Sequence, residues 1–252
     1  MFVICEGDGS PTVILIPGAR EASDYWSFVG ARGGQVVKRS DDAVFPQISQ
    51  KTRTCSYDRP GISRLDGTVS PTTLVKQPTT AKAGVEDLHA LLAAASIPPP
   101  YVLVAHSFGG MIAVLYSDTY PDEVAGMVLI DPSNVYFRSR LPARAWKDNV
   151  KQALAGVDGS GSEVPDFDAS SDQLIAAAPA PGIPVTILTA DKPWPVAGGS
   201  TKYFPYWLAA STDLAKQLSA THITQTHSGH HIPIRQPALV ERAITSMLTA
   251  VK

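Results

Sequence analysis

Ser107 is the residue whose surroundings point most directly to chemistry. Before it runs Tyr101-Val102-Leu103-Val104, a short apolar, β-branched segment with the character of a buried strand. After it comes Gly109-Gly110-Met111-Ile112-Ala113-Val114-Leu115-Tyr116, which reads as the start of a buried helix. A serine on a strand-to-helix turn, with small residues two places before it (Ala105) and two after (Gly109), has the form of a nucleophile elbow. The chemistry requires that form. A strained turn lifts Oγ clear of the backbone, small flanking residues let helix and strand approach, and the helix N-terminus aims N–H groups at developing negative charge. The Phe108 N–H is the donor expected there. Ala105 stands where such elbows usually carry glycine. The structural alternative is a small-residue turn that only packs a helix on a sheet.

The elements that must position this serine alternate along the chain. Phe2–Cys5 and Thr12–Ile16 read as strands, the second ended by Pro17-Gly18. Residues 20–37 hold a helix start and a Gly-rich stretch. Arg53–Tyr57 reads as a third strand, and residues 62–79 as loop. Thr80–Ser96 has helical periodicity through Val85, Leu88, Leu91 and Leu92, and Pro98-Pro99-Pro100 breaks it. Met127–Ile130, Pro184–Thr189 and His222–His227 read as further strands, Thr201–Leu218 as partly helical, and Pro237–Val251 as the last helix. Residues 133–181 differ, with Gly, Ser, Asp and Pro around short helical pieces near Ala145–Leu154 and Ser171–Ala178. They read as a small cap inserted over the site, dividing a core of residues 1–132 and 182–252. Buried strands alternating with helices imply an α/β fold with a mostly parallel central sheet.

Composition narrows the classes. The 252 residues suit a single α/β domain with a large core. A net charge of −2, with no basic run beyond two residues, speaks against nucleic acid or an anionic membrane surface as partner. No apolar run approaches the roughly 20 residues of a transmembrane helix. Phe2–Cys5 reads as a strand, not as a signal segment.

Four segments in this order and spacing resemble the α/β-hydrolase superfamily: Ile14-Leu15-Ile16-Pro17-Gly18-Ala19, Tyr57-Asp58-Arg59-Pro60-Gly61, Ala105-His106-Ser107-Phe108-Gly109-Gly110, and Ser228-Gly229-His230-His231-Ile232-Pro233 followed by Gln236-Pro237. The resemblance covers nearly the whole chain and implies a serine esterase-like activity that needs no cofactor. It places the general base at His230, directly after Gly229, with the adjacent His231 as second choice. It places a second oxyanion donor at the Ala19 N–H, where Pro17 stands in for a common histidine. For the acid it leaves two positions. One is Asp131, 24 residues after Ser107 at the end of the following strand. The other is Asp191, although the family slot past the penultimate strand falls on Pro193. Asp131 is favoured, because its side chain would leave the carboxyl edge of the sheet.

Of the remaining histidines, His106 is expected to support the elbow and His89 to be structural. His222 and His227 bracket the last strand. His227, His230 and His231 lack the spacing of a zinc site, so no metal is expected. The turn Asp58-Arg59 is expected to be structural. Tyr136, Phe137, Trp146 and Trp194 are expected to line the substrate pocket, among further aromatics at Tyr203, Phe204, Tyr206 and Trp207. Cys5 and Cys55 fall on strands that neighbour one another in this fold. They could form a disulfide, which would imply export, or remain buried thiols in a cytoplasmic protein. The expected substrate is a small carboxylic ester or lactone. An acyltransferase, an amide or carbon–carbon bond hydrolase, or a non-catalytic ligand receptor would use the same scaffold. Haloalkane dehalogenases and epoxide hydrolases carry Asp where this chain has Ser107.

Overall fold

The structure is a computed structural model that describes residues 1–30, 37–177 and 182–251. In chain order its strands and helices are β1 (Phe2–Glu6), β2 (Thr12–Ile16), β3 (Phe28–Val29), β4 (Lys38–Arg39), α1 (Val44–Ser49), β5 (Thr54–Asp58), α2 (Ala81–Ala94), β6 (Tyr101–His106), α3 (Phe108–Thr119), β7 (Val124–Ile130), α4 (Val135–Arg140), α5 (Ala143–Leu154), α6 (Phe167–Ala176), β8 (Val185–Leu188), α7 (Phe204–Gln217), β9 (Thr221–Ile223), α8 (Ile232–Arg235) and α9 (Pro237–Ala250). Among the described residues the main sheet has seven strands in the order β1-β5-β2-β6-β7-β8-β9, and β3 pairs with β4 separately. Among the described strands of the main sheet only β1 runs antiparallel to its neighbour, and β3 and β4 are antiparallel to each other. This is the α/β-hydrolase fold.

The central strands are apolar without alternation because both faces of the sheet are covered. Every residue of β2 and β6 is buried. Successive side chains then feed two cores. Ile14, Ile16, Leu103 and Ala105 pack with α2 and α3 on one face. Val13, Leu15, Val102 and Val104 pack with α1 and α9 on the other. A third cluster, of Phe137, Leu141, Trp146, Phe204 and Trp207, joins α4 and α5 to α7 above the carboxyl ends of the strands. It draws on α7, which the sequence division assigns to the core.

Three segments differ from expectation. The helix start at residues 20–37 is a single 3₁₀ turn, Ser23–Ser27, leading into β3, and residues 31–36 lie outside the described residues. α1 carries no sequence signal, because Pro46 sits within its six residues and no side chain caps it. The last strand stops at Ile223. Beyond it the Thr226 hydroxyl donates to the Thr189 carbonyl at 2.9 Å, and the Ser228 carbonyl accepts from Asp191 and Lys192, both at 3.0 Å. Those bonds take the chain off the ladder and into the loop that carries His230.

Cys5 and Cys55 face each other across β1 and β5 and are joined by a disulfide, 50 residues apart in sequence. None of the described helices is long and apolar enough to cross a membrane. Replacing both cysteines by alanine is expected to lower stability by about 4 kcal/mol, the chain-entropy value for a loop of this size, read as a lower urea midpoint. An unchanged midpoint would mean the strand pair needs no cross-link.

Candidate active site

Ser107 occupies the junction of β6 and α3 with φ 53° and ψ −121°, a conformation that is costly for a residue with a side chain. Three backbone bonds hold it there. Its N–H donates to the Ile130 carbonyl at 3.1 Å, and its carbonyl accepts from Gly110 and Ser133, each at 2.9 Å. The close approach behind the turn explains Gly109, where a Cβ would lie 2.6 Å from the Ile16 carbonyl oxygen. Ala105, by contrast, is a fully buried strand residue whose methyl joins the core. The departure from glycine therefore costs no room.

His230 and Asp131 meet Ser107 from two other loops. His230 Nε2 lies 2.9 Å from Ser107 Oγ, and His230 Nδ1 lies 2.6 Å from Asp131 Oδ2. Asp131 follows the last residue of β7 with φ 41° and is wholly buried. Its other oxygen accepts from the Ala190 N–H at 3.0 Å and from the Trp207 indole N–H at 2.8 Å. The carboxylate is thus satisfied and its second oxygen aimed at the imidazole. Trp194 stacks on His230 at 4.0 Å between ring centres. Burial pulls the His230 pKa below its ordinary value and His106 lowers it further, against the opposing pull of Asp131.

Beneath these residues lies a buried ion pair. His106 Nδ1 faces Glu21 Oε2 at 2.8 Å, and His106 Nε2 faces the His230 carbonyl at 2.9 Å. Both partners only accept, so both ring nitrogens must carry hydrogen and His106 is an imidazolium. Burial opposes that charge, but the Glu21 carboxylate and the His230 carbonyl raise the His106 pKa. Burial alone would likewise raise Glu21, yet His106 holds its carboxyl well below the usual range. Glu21 also accepts from the Gly18 N–H at 2.8 Å. One pair therefore ties together the loop after β2, the end of β6 and the His230 loop. His231 lies 3.6 Å from Glu21 and 3.2 Å from the Tyr25 hydroxyl, and burial first of all pushes its pKa down to about 4. Glu21, His106 and His231 bring three ligand atoms within 4.8 Å of one another. With both its nitrogens donating, His106 has no lone pair for a metal.

The loop after β2 is also held from the other side. Arg59 pairs with Glu163 at 2.5 Å and donates to the carbonyls of Pro17 and Gly18 at 2.8 and 2.5 Å. Asp58 is engaged elsewhere, by Ser23, Ser70 and Arg64. The N–H groups of Ala19 and Phe108 have no hydrogen-bond partner among the described residues.

A cavity of about 520 Å³ opens above Ser107 and His230. Phe137, Trp146 and Trp194 line it, together with Phe167 and Trp207. Tyr136 does not. Consecutive residues of α4 point about 100° apart, and with Phe137 toward the cavity Tyr136 packs sideways against the neighbouring clusters. Asp191 lies away from His230, accepts from the Ser228 N–H at 3.0 Å and stands 3.6 Å from His227. His89 stacks on Tyr120, and His222 meets the Thr189 hydroxyl. A larger hollow of about 750 Å³, lined by Met127, Val185 and Met247 among others, contains neither Ser107 nor His230.

With this geometry established, comparison with known proteins is decisive for the family. Residues 11–175 match the family described as alpha/beta hydrolase fold. The chain belongs to that family. Lipase LipV of Mycobacterium tuberculosis (strain ATCC 25618 / H37Rv) is 34% identical over 117 residues, 40% of this chain and 42% of that protein. Protein YqjL of Bacillus subtilis (strain 168) is 38% identical over 128 residues, 51% of this chain and 42% of its own. The matches thus span under half the length of these curated relatives. A thermophilic esterase from Thermogutta terrifontis superposes with a TM-score of 0.60 at 17% identity, covering 99% of this chain and 93% of that one, a likeness of fold alone.

Glu21 and Glu163 escaped the sequence reading, as did the bond from Trp207 to Asp131; Arg59 was expected only in a structural turn, and Trp207 only among the aromatics. Their contacts are tertiary, and only the acid–base character of Glu21, three residues after Gly18, hinted at a role. Replacing Glu21 by Gln is expected to destabilise the protein by about 3 kcal/mol, the cost of leaving a buried charge unpaired. The Glu21 contribution is present above the unfolded carboxyl pKa of about 4.3 and the His106 contribution below about 6.5. The stability gap to wild type, measured by urea titration, should therefore be widest between those values. It should narrow as the pH rises through the raised His106 pKa. A gap that keeps widening above pH 8 would contradict an imidazolium at His106.

Proposed function

We propose that this chain is a serine hydrolase of carboxylic esters or lactones. The observation that carries the reading is the unbroken hydrogen-bond line from Asp131 through His230 to Ser107, at 2.6 and 2.9 Å, on the floor of an aromatic-lined cavity. Ser107 Oγ attacks the carbonyl carbon while His230 Nε2 takes its proton. The Phe108 and Ala19 N–H groups receive the oxyanion, each such donor being worth about 3 kcal/mol. His230 then protonates the leaving alcohol, which departs and leaves Ser107 acylated. A water then gives a proton to His230 as its oxygen bonds to the acyl carbon; the bond from that carbon to Ser107 Oγ breaks, His230 returns the proton to Oγ, and the acid leaves. Asp131 fixes the imidazole tautomer and stabilises the imidazolium formed in each half-reaction. The residues present supply every step without a cofactor. Helices α4 to α6 serve as the small cap, with Trp146 and Phe167 closing the acyl site.

Three measurements test this. Turnover of p-nitrophenyl acetate and butyrate should persist through many cycles in wild type and vanish in Ser107→Ala. Activity retained by that variant would remove Ser107 from the chemistry. Asp131→Asn should cut kcat by about 10⁴, as in other triads, and Asp191→Asn by far less; the reverse order would exchange their roles. Because His230 acts as base when neutral and its pKa lies below the ordinary value, the acid limb of kcat/KM should fall below pH 6.5. A limb above pH 7 would point to a different group.

A further inference from the structure

Among the described residues that line the cavity there is no aspartate or glutamate, and Arg20 is the single fixed cation. Arg20 directly follows Ala19 and is exposed at the mouth. Its backbone adopts φ 59°, in the region that residues with a Cβ rarely visit, and is held there by the Arg20 N–H donating to the Glu163 carboxylate at 2.6 Å. The side chain is directed by a second bond, from Nε to the Glu163 carbonyl at 3.1 Å. That leaves both terminal nitrogens without a protein partner among the described residues. The Glu163 charge is matched by Arg59, so the charge of Arg20 is not cancelled locally.

Helix α5 fixes where the guanidinium sits. Arg20 Nη2 lies 2.9 Å from the position a Cβ would take on Gly156, just past the end of that helix. Asn149, Gln152, Ala153 and Gly156 fall on one helical face by their spacing, and the first three line the cavity. Asn149 uses its oxygen to accept from the Gly198 N–H at 3.3 Å, which turns its amino group away from that bond. The lining therefore combines polar side chains beside the loop after β2, Asn149, Gln152 and Arg20, with the aromatic rings of Phe137, Trp194 and Trp207.

We propose that Arg20, with Asn149 and Gln152, recognises a carboxylate carried by the substrate, so that the preferred ester or lactone pairs an apolar portion with an anionic group near the scissile carbonyl. The inference rests on the hydrolase reading above. A guanidinium with two free terminal nitrogens presents the fork that a planar carboxylate accepts in bidentate fashion. No neighbouring carboxylate in the cavity competes for it.

The test compares matched esters with and without a carboxylate, on each side of the ester bond: p-nitrophenyl hydrogen glutarate against p-nitrophenyl butyrate, and 4-acetoxybenzoate against 4-acetoxytoluene. The ratio of kcat/KM, anionic over neutral, should fall about tenfold in Arg20→Met for at least one pair. It should fall further in Arg20→Glu and be kept only in part in Arg20→Lys, which retains the charge but not the fork. Raising the salt concentration should lower the wild-type ratio. Ratios unchanged across all three variants overturn the proposal while leaving the hydrolase intact. A second readout separates the two ideas. Equilibrium binding of the same esters to Ser107→Ala, with and without Arg20→Met, should favour the anionic member only when Arg20 is present. If wild type turns over none of the esters but this binding preference holds, the anion site stands and the hydrolase reading falls. Equal binding of both members removes the anion site whatever the turnover.

Discussion

The site depends on a loop that no strand supports. Residues 17–21 leave β2, cross the top of the sheet and must offer the Ala19 N–H to open space. The Glu21–His106 pair makes this stable. Glu21 anchors the Gly18 N–H, and His106, one residue before Ser107, passes the constraint to the His230 carbonyl. The Ala19 N–H, Ser107 and His230 thus belong to loops joined through one buried imidazolium. Its desolvation is offset by acceptors at both nitrogens, the condition under which a buried ion pair holds geometry instead of costing stability. Gly18 is the packing consequence. A Cβ there would meet Glu21 Oε2 at 2.6 Å and His106 Nδ1 at 3.0 Å. Arg59 clamps the same loop through the carbonyls of Pro17 and Gly18, and Glu163 ties that clamp to the segment between α5 and α6. The segment between α5 and α6 and the loop after β2 are therefore mechanically linked.

Much of this was legible in the sequence where local physics and burial agree. Thr12–Ile16 and Tyr101–Val104 are unbroken apolar runs because both faces of their strands are covered, and the elbow showed itself through the size of Ala105 and Gly109. What stayed illegible depends on distant partners. α1 forms because Val44, Phe45 and Ile48 have a core to fill, not because its six residues favour a helix. Thr221–His227 has the composition of a full strand, yet side-chain and backbone bonds to residues 189–192 pull its second half away. Tyr136 and Phe137 are equivalent by composition, and only the rotation of α4 separates them.

The choice between Asp131 and Asp191 shows the same division. Sequence spacing offers both. Folding uses Asp191 to stop the loop after β8, through the Ser228 N–H, and points Asp131 at His230. Ala190, which occupies the place of a common glycine, does not disturb this. Its backbone N–H supports Asp131, and its side chain is wholly buried in the aromatic cluster. Trp207 completes the arrangement from α7, a helix whose sequence gives no sign that an indole N–H will reach across to the end of β7.

The charges of the buried site also explain why its base rests neutral. Glu21 and His106 cancel, and Asp131 carries one negative charge that its three donors disperse. A proton on His230 would be favoured by Asp131, but it would sit with its ring centre 4.7 Å from that of the imidazolium at His106 and under the face of Trp194. Burial and the His106 charge therefore keep His230 free to accept a proton, while Asp131 and the Trp194 face lessen the cost once it has done so. On the proposed hydrolase reading, the imidazolium formed as Ser107 attacks would lie beside an oxyanion of opposite sign, which would partly offset the like-charge penalty from His106. A site balanced in that way favours a charge separation that arises only at that step, which is the condition for stabilising a transition state more than the resting state.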